Sequence, residues 1–167
     1  YALTDGKANG TRAISGWNGG GLSFTVLPDR CLDIAEVRYC GNNMSYITPS
    51  GIVAPQFFDP DGIGWLRSFG GGFLTTCGLE NIGVTDGTPD LTMHGRIGNT
   101  PCENLCVDPD DDGLGVTIKG TAREAVLFGC KLTLRREYRC VYGEDRIRFT
   151  DVITNRGFEK VPVSVLY

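Results

Sequence analysis

The sequence predicts an all-β fold of antiparallel strands, and three observations carry that expectation. No stretch of the 167 residues sustains a helical period with caps at its ends. The apolar runs are instead short and rich in β-branched and aromatic side chains. Glycines (24) and prolines (8) are spread along the chain and punctuate those runs.

Taken in order, residues 1–50 read as a meander whose clearest strands are Leu22–Leu27 and Ile34–Tyr39. Residues 51–113 are dense in loops, with Pro55, Pro60 and the glycines from Gly62 to Gly87 breaking every run. Regular strands return with Gly115–Lys119, Ala125–Arg135, Tyr138–Tyr142, Arg146–Thr154 and Val161–Tyr167. The segments Leu132–Tyr142 and Arg146–Ile153 alternate as half-buried strands do, and Gly143-Glu-Asp145 between them has the length of a hairpin connection. A long loop region inside one compact domain is most often functional, so the search for a site belongs in 51–113.

Composition narrows the function classes. The length suits a single domain with a real core. A net charge of −4 gives no basic excess for nucleic acid, and no run approaches the roughly 18 apolar residues of a membrane span. The chain starts at Tyr1 without a methionine or a signal segment, which suggests that it lacks its natural start. Seven cysteines cannot all pair internally, and Cys102 and Cys106 have no second pair to complete a zinc set. Reduced structural thiols in a cytoplasmic protein are the expectation.

Four segments carry residues that could do chemistry. Asp108-Pro-Asp-Asp-Asp-Gly113 resembles the first half of an EF-hand loop, but Lys119 and Gly120 stand where the closing glutamate would be, so it reads as a solvated acidic turn. Ser68-Phe-Gly-Gly-Gly-Phe73 lacks the Gly-Lys-Ser/Thr ending of a phosphate loop, and its glycines read as allowing close backbone approach at the start of a strand. Arg30 and Asp33 lie in or just after a turn, where they either bond each other or point at a polyol. Trp65-Leu-Arg-Ser-Phe69 with Thr75–Asn81 offers an aromatic face, Arg67, hydroxyls, Glu80 and the Asn81 amide, the groups a pyranose site uses, or else groups that satisfy the loop's own backbone.

His94, the only histidine, lies in Leu91–Pro101 between glycine-permitted turns, with Arg96 two residues on. Any histidine-based acid–base chemistry in these residues runs through it. A lone histidine is more often structural, but the turns, Arg96 and the polar candidates nearby favour a site.

These residues together resemble a known family. Leu91-x-x-His94-Gly95 followed by Gly98 and Pro101 resembles the Leu-His-Gly segment of the aldose 1-epimerase (galactose mutarotase-like) superfamily. Leu22–Ile34, Trp65–Asn81, His94–Ile97 and the final Arg146–Asn155 and Pro162–Tyr167 are similar to one domain-of-unknown-function branch of it. The resemblance implies a β-supersandwich of large antiparallel sheets, incomplete in this chain, with residues 1–167 as the N-terminal portion of one carbohydrate-binding domain. It implies a cofactor-free interconversion of sugar anomers, in which a glutamate takes the anomeric proton and a histidine donates to the ring oxygen. In that family the donating histidine follows a strand like Pro162–Tyr167 and the glutamate lies further on, so the catalytic pair is expected beyond Tyr167. His94 aligns with an earlier histidine that holds the sugar. His94 and Arg96 are therefore expected to bind substrate, with Arg67, Asn81 and Arg30 as weaker candidates. The expected partner is a small sugar, without metal, nucleic acid or membrane. The alternatives are a non-catalytic carbohydrate-binding module and a homo-oligomer formed along an unpaired sheet edge.

Overall fold

The computed structural model describes residues 1–85, 87 and 91–167. Its first sheet is a meander of β1 (Ile14–Trp17), β2 (Leu22–Leu27), β3 (Asp33–Tyr39) and β4 (Asn42–Asn43), all antiparallel neighbours in that order. Two short strands, β5 (Tyr46–Ile47) and β6 (Gly71–Gly72), pair across the loop-dense region, which also holds the four-residue helix α1 (Gly64–Arg67) and β7 (Cys77–Leu79). The second large sheet contains β8 (Glu103–Pro109), β9 (Gly115–Ala125), β10 (Lys131–Val141) and β11 (Ile147–Asn155), ordered β11-β10-β9-β8. A last strand, β12 (Ser164–Leu166), pairs with β7. The described residues contain no helix long and apolar enough to cross a membrane.

The two large sheets face each other over one core. Leu22, Phe24 and Val26 point inward from β2, and Leu132, Leu134, Tyr138 and Cys140 from β10, with Leu32, Leu79 and Ile97 filling the space between. Each of the fully buried aliphatic side chains contributes roughly 1.5–3 kcal/mol. The inward alternation of β10 includes one charge, Arg136, which is 1% exposed. Its guanidinium reaches Asp33 on β3 at 2.7 Å and holds Asp151 on β11 by two bonds of 2.9 and 2.7 Å. Thr76 donates to the same Asp33 carboxylate through both its N–H and its hydroxyl, and the Tyr167 hydroxyl donates to Asp151. Asp33 is thus tied to Arg136 and Thr76, while Arg30 turns elsewhere.

The structure redraws several strand limits. Expected breaks at Lys119 and Arg135 disappear, because β9 continues to Ala125 and β10 runs unbroken from Lys131 to Val141. Gly120 sits inside β9, where a Cβ would lie 3.1 Å from that of Cys102, so its glycine marks close packing and no strand end. The apolar Val126–Gly129 forms the β9–β10 turn, closed by Gly129 N–H to Val126 O at 3.1 Å. Strand β8 emerges from the region expected to be loops, with a bulge at Asn104, whose φ is 53°. The Gly70–Gly72 run packs backbone on backbone, since a Cβ at Gly70 would stand 2.6 Å from Gly51 O. Asp110 pairs with Arg139 across the acidic turn. All seven cysteines are free thiols.

Candidate functional site

The segment around His94 is built on two successive residues of left-handed backbone, His94 at φ 57° and Gly95 at φ 72°. Gly95 needs its missing side chain twice over: L-residues disfavour that φ, and a Cβ there would collide with the carbonyl oxygen of Gly78 on β7. The chain reversal brings His94 against Gly83. The His94 N–H donates to Gly83 O at 3.0 Å, and the Gly83 N–H donates to His94 Nδ1 at 3.2 Å. A third bond, from the Gly78 N–H to His94 O at 2.9 Å, fixes the clasp to β7. An Nδ1 that accepts carries no proton of its own, so the neutral ring is the Nε2–H tautomer and Nε2 is its remaining donor. The ring packs on Trp65 of α1 with centroids 4.5 Å apart, and Trp65 stacks on Phe69 at 4.9 Å.

The five residues singled out from sequence take different places around this clasp. Asn81 belongs to it directly: its Nδ2 donates to Thr92 O at 3.0 Å and to Gly83 O at 3.3 Å. Arg67 closes α1 two residues after Trp65, with its guanidinium exposed and bonded to Asp59 at 2.7 Å. Arg30 is buried at 7% exposure and donates to Gly98 O and Val53 O, both at 2.7 Å, and to Ser68 O at 3.1 Å. Through Ser68 and Gly98 it ties the end of α1 to the turn after Arg96, and so holds Trp65 beside His94. Arg96 lies exposed at the start of a short 3-10 turn, Ile97–Asn99, and its charge acts on a carboxylate that the sequence reading missed.

That carboxylate is Glu124, 7% exposed on the inward face of β9. Its Oε2 accepts from the Leu79 N–H at 3.0 Å, directly beside Gly78, while Oε1 has no partner among the described residues. Burial pushes its pKa up to about 7; the Leu79 N–H and Arg96 pull it down, and the neighbouring Glu80 adds to the rise. Cys130, at the end of the β9–β10 turn, is pushed to about 12 by burial and by its bond to Glu80. With one oxygen on the backbone of β7 and little exposure, Glu124 supports the strand that carries the His94 clasp. The alternation Ile118, Gly120, Ala122, Glu124 was the available signal, hidden by ending the strand at Lys119.

Comparison with known proteins now bears on this geometry. No curated protein matches the chain. A crystal structure of a "putative aldose 1-epimerase" from Klebsiella pneumoniae subsp. pneumoniae MGH 78578 matches with a TM-score of 0.83 at 28% sequence identity, over 93% of this chain and 42% of that one. The chain therefore spans less than half the length of that protein, and the fold it shares is the all-β, galactose mutarotase-like one. The family described as Domain of unknown function (DUF4432) matches residues 8–167. That range takes in both large sheets, the His94 clasp and Glu124, and the chain belongs to the DUF4432 family.

Proposed function

We propose that this chain forms the carbohydrate-holding part of an aldose 1-epimerase-like protein, with the sugar bound beside His94. The observation that carries the reading is the His94 clasp: Nδ1 is committed to Gly83, which leaves Nε2–H as the ring's donor, and the buried Trp65 fixes the ring from one side. A pyranose offers hydroxyl oxygens that can accept from such a donor. The likeness to the Klebsiella protein supports the choice of a sugar as ligand. Asn81 and Arg30 act through the loop backbone, while Arg96 and Arg67 stand at the rim as direct contacts. The acid and base of the ring-opening step are assigned outside these 167 residues.

Titration calorimetry of the protein with galactose and with glucose tests this. Removing the imidazole in His94→Ala should weaken sugar binding by about 1–3 kcal/mol, the cost of leaving a sugar hydroxyl without its donor. His94→Gln, which keeps an N–H donor, should recover part of the loss. Unchanged affinity in His94→Ala would move the sugar away from the clasp. Polarimetry on the same samples reads catalysis separately from binding, by the rate at which a pure anomer loses its optical rotation.

A further inference from the structure

We propose that the outer face of the β8–β11 sheet holds a second site, around Thr133, for a small ligand bearing a tetrahedral oxyanion, a phosphate or sulfate ester. This site is separate from the His94 clasp and does not depend on it.

The strand register builds it. Thr133 on β10 stands opposite Arg123 on β9 and opposite Thr154 on β11. Arg135 follows two residues along β10, opposite Thr121, and Arg156 lies two residues past Thr154. Alternate residues of a strand share a face, and diagonal neighbours lie roughly 7–8 Å apart, within reach of arginine side chains. Three guanidinium groups therefore surround one threonine, which is only 8% exposed although it points away from the core. The concavity they enclose has a volume of about 540 Å³ and is lined by these three arginines, three threonines, Asn104 and Val152, without a carboxylate.

The rest of the same face supplies a comparison. Towards its other end Lys119 pairs with Asp108 at 3.5 Å and Arg139 pairs with Asp110. Around Thr133 only Arg123 has a counter-charge, Glu103 at 2.9 Å. Arg135 and Arg156 make no side-chain ion pair or hydrogen bond among the described residues. An ordinary solvated sheet face carries arginine and threonine too, but in a chain with 20 acidic and 16 basic residues its charges would be expected to pair, as they do at the other end. Converged like charges repel, and an anion between them removes that repulsion. Guanidinium forks and hydroxyl donors match the oxygens of phosphate or sulfate. The volume exceeds a bare ion and falls in the range of small-molecule pockets, with Val152 offering apolar contact to the organic part of an ester.

The test is calorimetric titration of the whole protein with inorganic phosphate, glucose 6-phosphate and glucose 6-sulfate, with glucose run alongside to read what the sugar ring alone binds at the His94 clasp. Saturable binding of the charged probes is expected, weakening as salt is raised. Arg135→Gln and Arg156→Gln should each lower the affinity about ten-fold or more, while Arg139→Gln, at the paired end of the face, should leave it unchanged. The two esters compared directly show which oxyanion is preferred. Absence of saturable binding, or equal losses in Arg135→Gln and Arg139→Gln, would overturn the site. His94→Ala should not alter the affinity for inorganic phosphate, which has no sugar ring to reach the clasp, so failure here and failure of the sugar reading are distinguishable. Circular dichroism confirms that each variant keeps its sheet.

Discussion

Replacing Arg136 with methionine is expected to destabilise the protein by about 3–5 kcal/mol, a large share of the roughly 5–15 kcal/mol that holds a domain folded. The reason lies in what remains behind. Asp33 and Asp151 have side chains only 7% and 8% exposed, and both take bonds from this one guanidinium. Burial raises the pKa of Asp33 while Arg136 and Thr76 oppose the rise, so without Arg136 the carboxylate meets burial with less to offset it. Urea denaturation at pH 7 measures the loss. Two controls separate orphaned charge from lost packing. The triple variant Arg136→Met, Asp33→Asn, Asp151→Asn should recover a substantial part of the stability, because no buried charge is then left unpaired. The deficit of the single variant should also shrink at pH 4, where the orphaned Asp33 carboxyl, raised by burial, takes up a proton more readily. A single variant within about 0.5 kcal/mol of the parent would show that the charged network contributes little.

That network marks where the sequence was legible and where it was not. Strand β2 coincides with the expected Leu22–Leu27, and the connection between β10 and β11 lies where Gly143–Asp145 indicated it. The position of Arg136 on the inward face follows from the alternation of Leu132, Leu134, Tyr138 and Cys140. Its partners do not: Asp33 is 103 residues away, and nothing local distinguishes a carboxylate that finds a distant arginine from one that pairs with Arg30 nearby. The His94 segment was legible because consecutive left-handed residues demand glycine neighbours and leave a visible mark. Strand β8 was hidden because an edge strand buries little and needs no apolar alternation, its pattern being mostly exposed.

Arg30 shows the same limit from the other side. Its sequence context allows a ligand contact, yet its donors close carbonyls from three separate segments: Val53, Ser68 and Gly98. A buried arginine of this kind fixes loops that have little regular structure of their own. The loop-dense region is therefore held by side-chain bonds to backbone, and the position of His94 depends on Arg30, Asn81 and Glu124.

Glu124 makes the largest pH-dependent contribution to stability expected around the clasp. Its carboxyl has a pKa near 7 when folded, against an ordinary value of 4.5. A raised folded pKa means that the folded protein binds the proton more tightly than the unfolded chain does. Stability from this group is thus fully present below about pH 4.5 and is lost as pH rises through 7. The difference corresponds to at most about 3 kcal/mol. The structure gives the proton a place: Oε1 has no partner among the described residues, so it can carry the hydrogen while Oε2 keeps accepting from Leu79. Glu80 and Arg96 face the same carboxyl and act in opposite directions. In Glu124→Gln the amide keeps an acceptor for Leu79 and cannot ionise. The variant should match the parent near pH 5 and exceed its stability by about 2–3 kcal/mol at pH 8, read from urea midpoints across the range. Parallel pH profiles for parent and variant would show that the carboxyl ionises at its ordinary value and that its burial leaves β7 and the His94 clasp indifferent to pH.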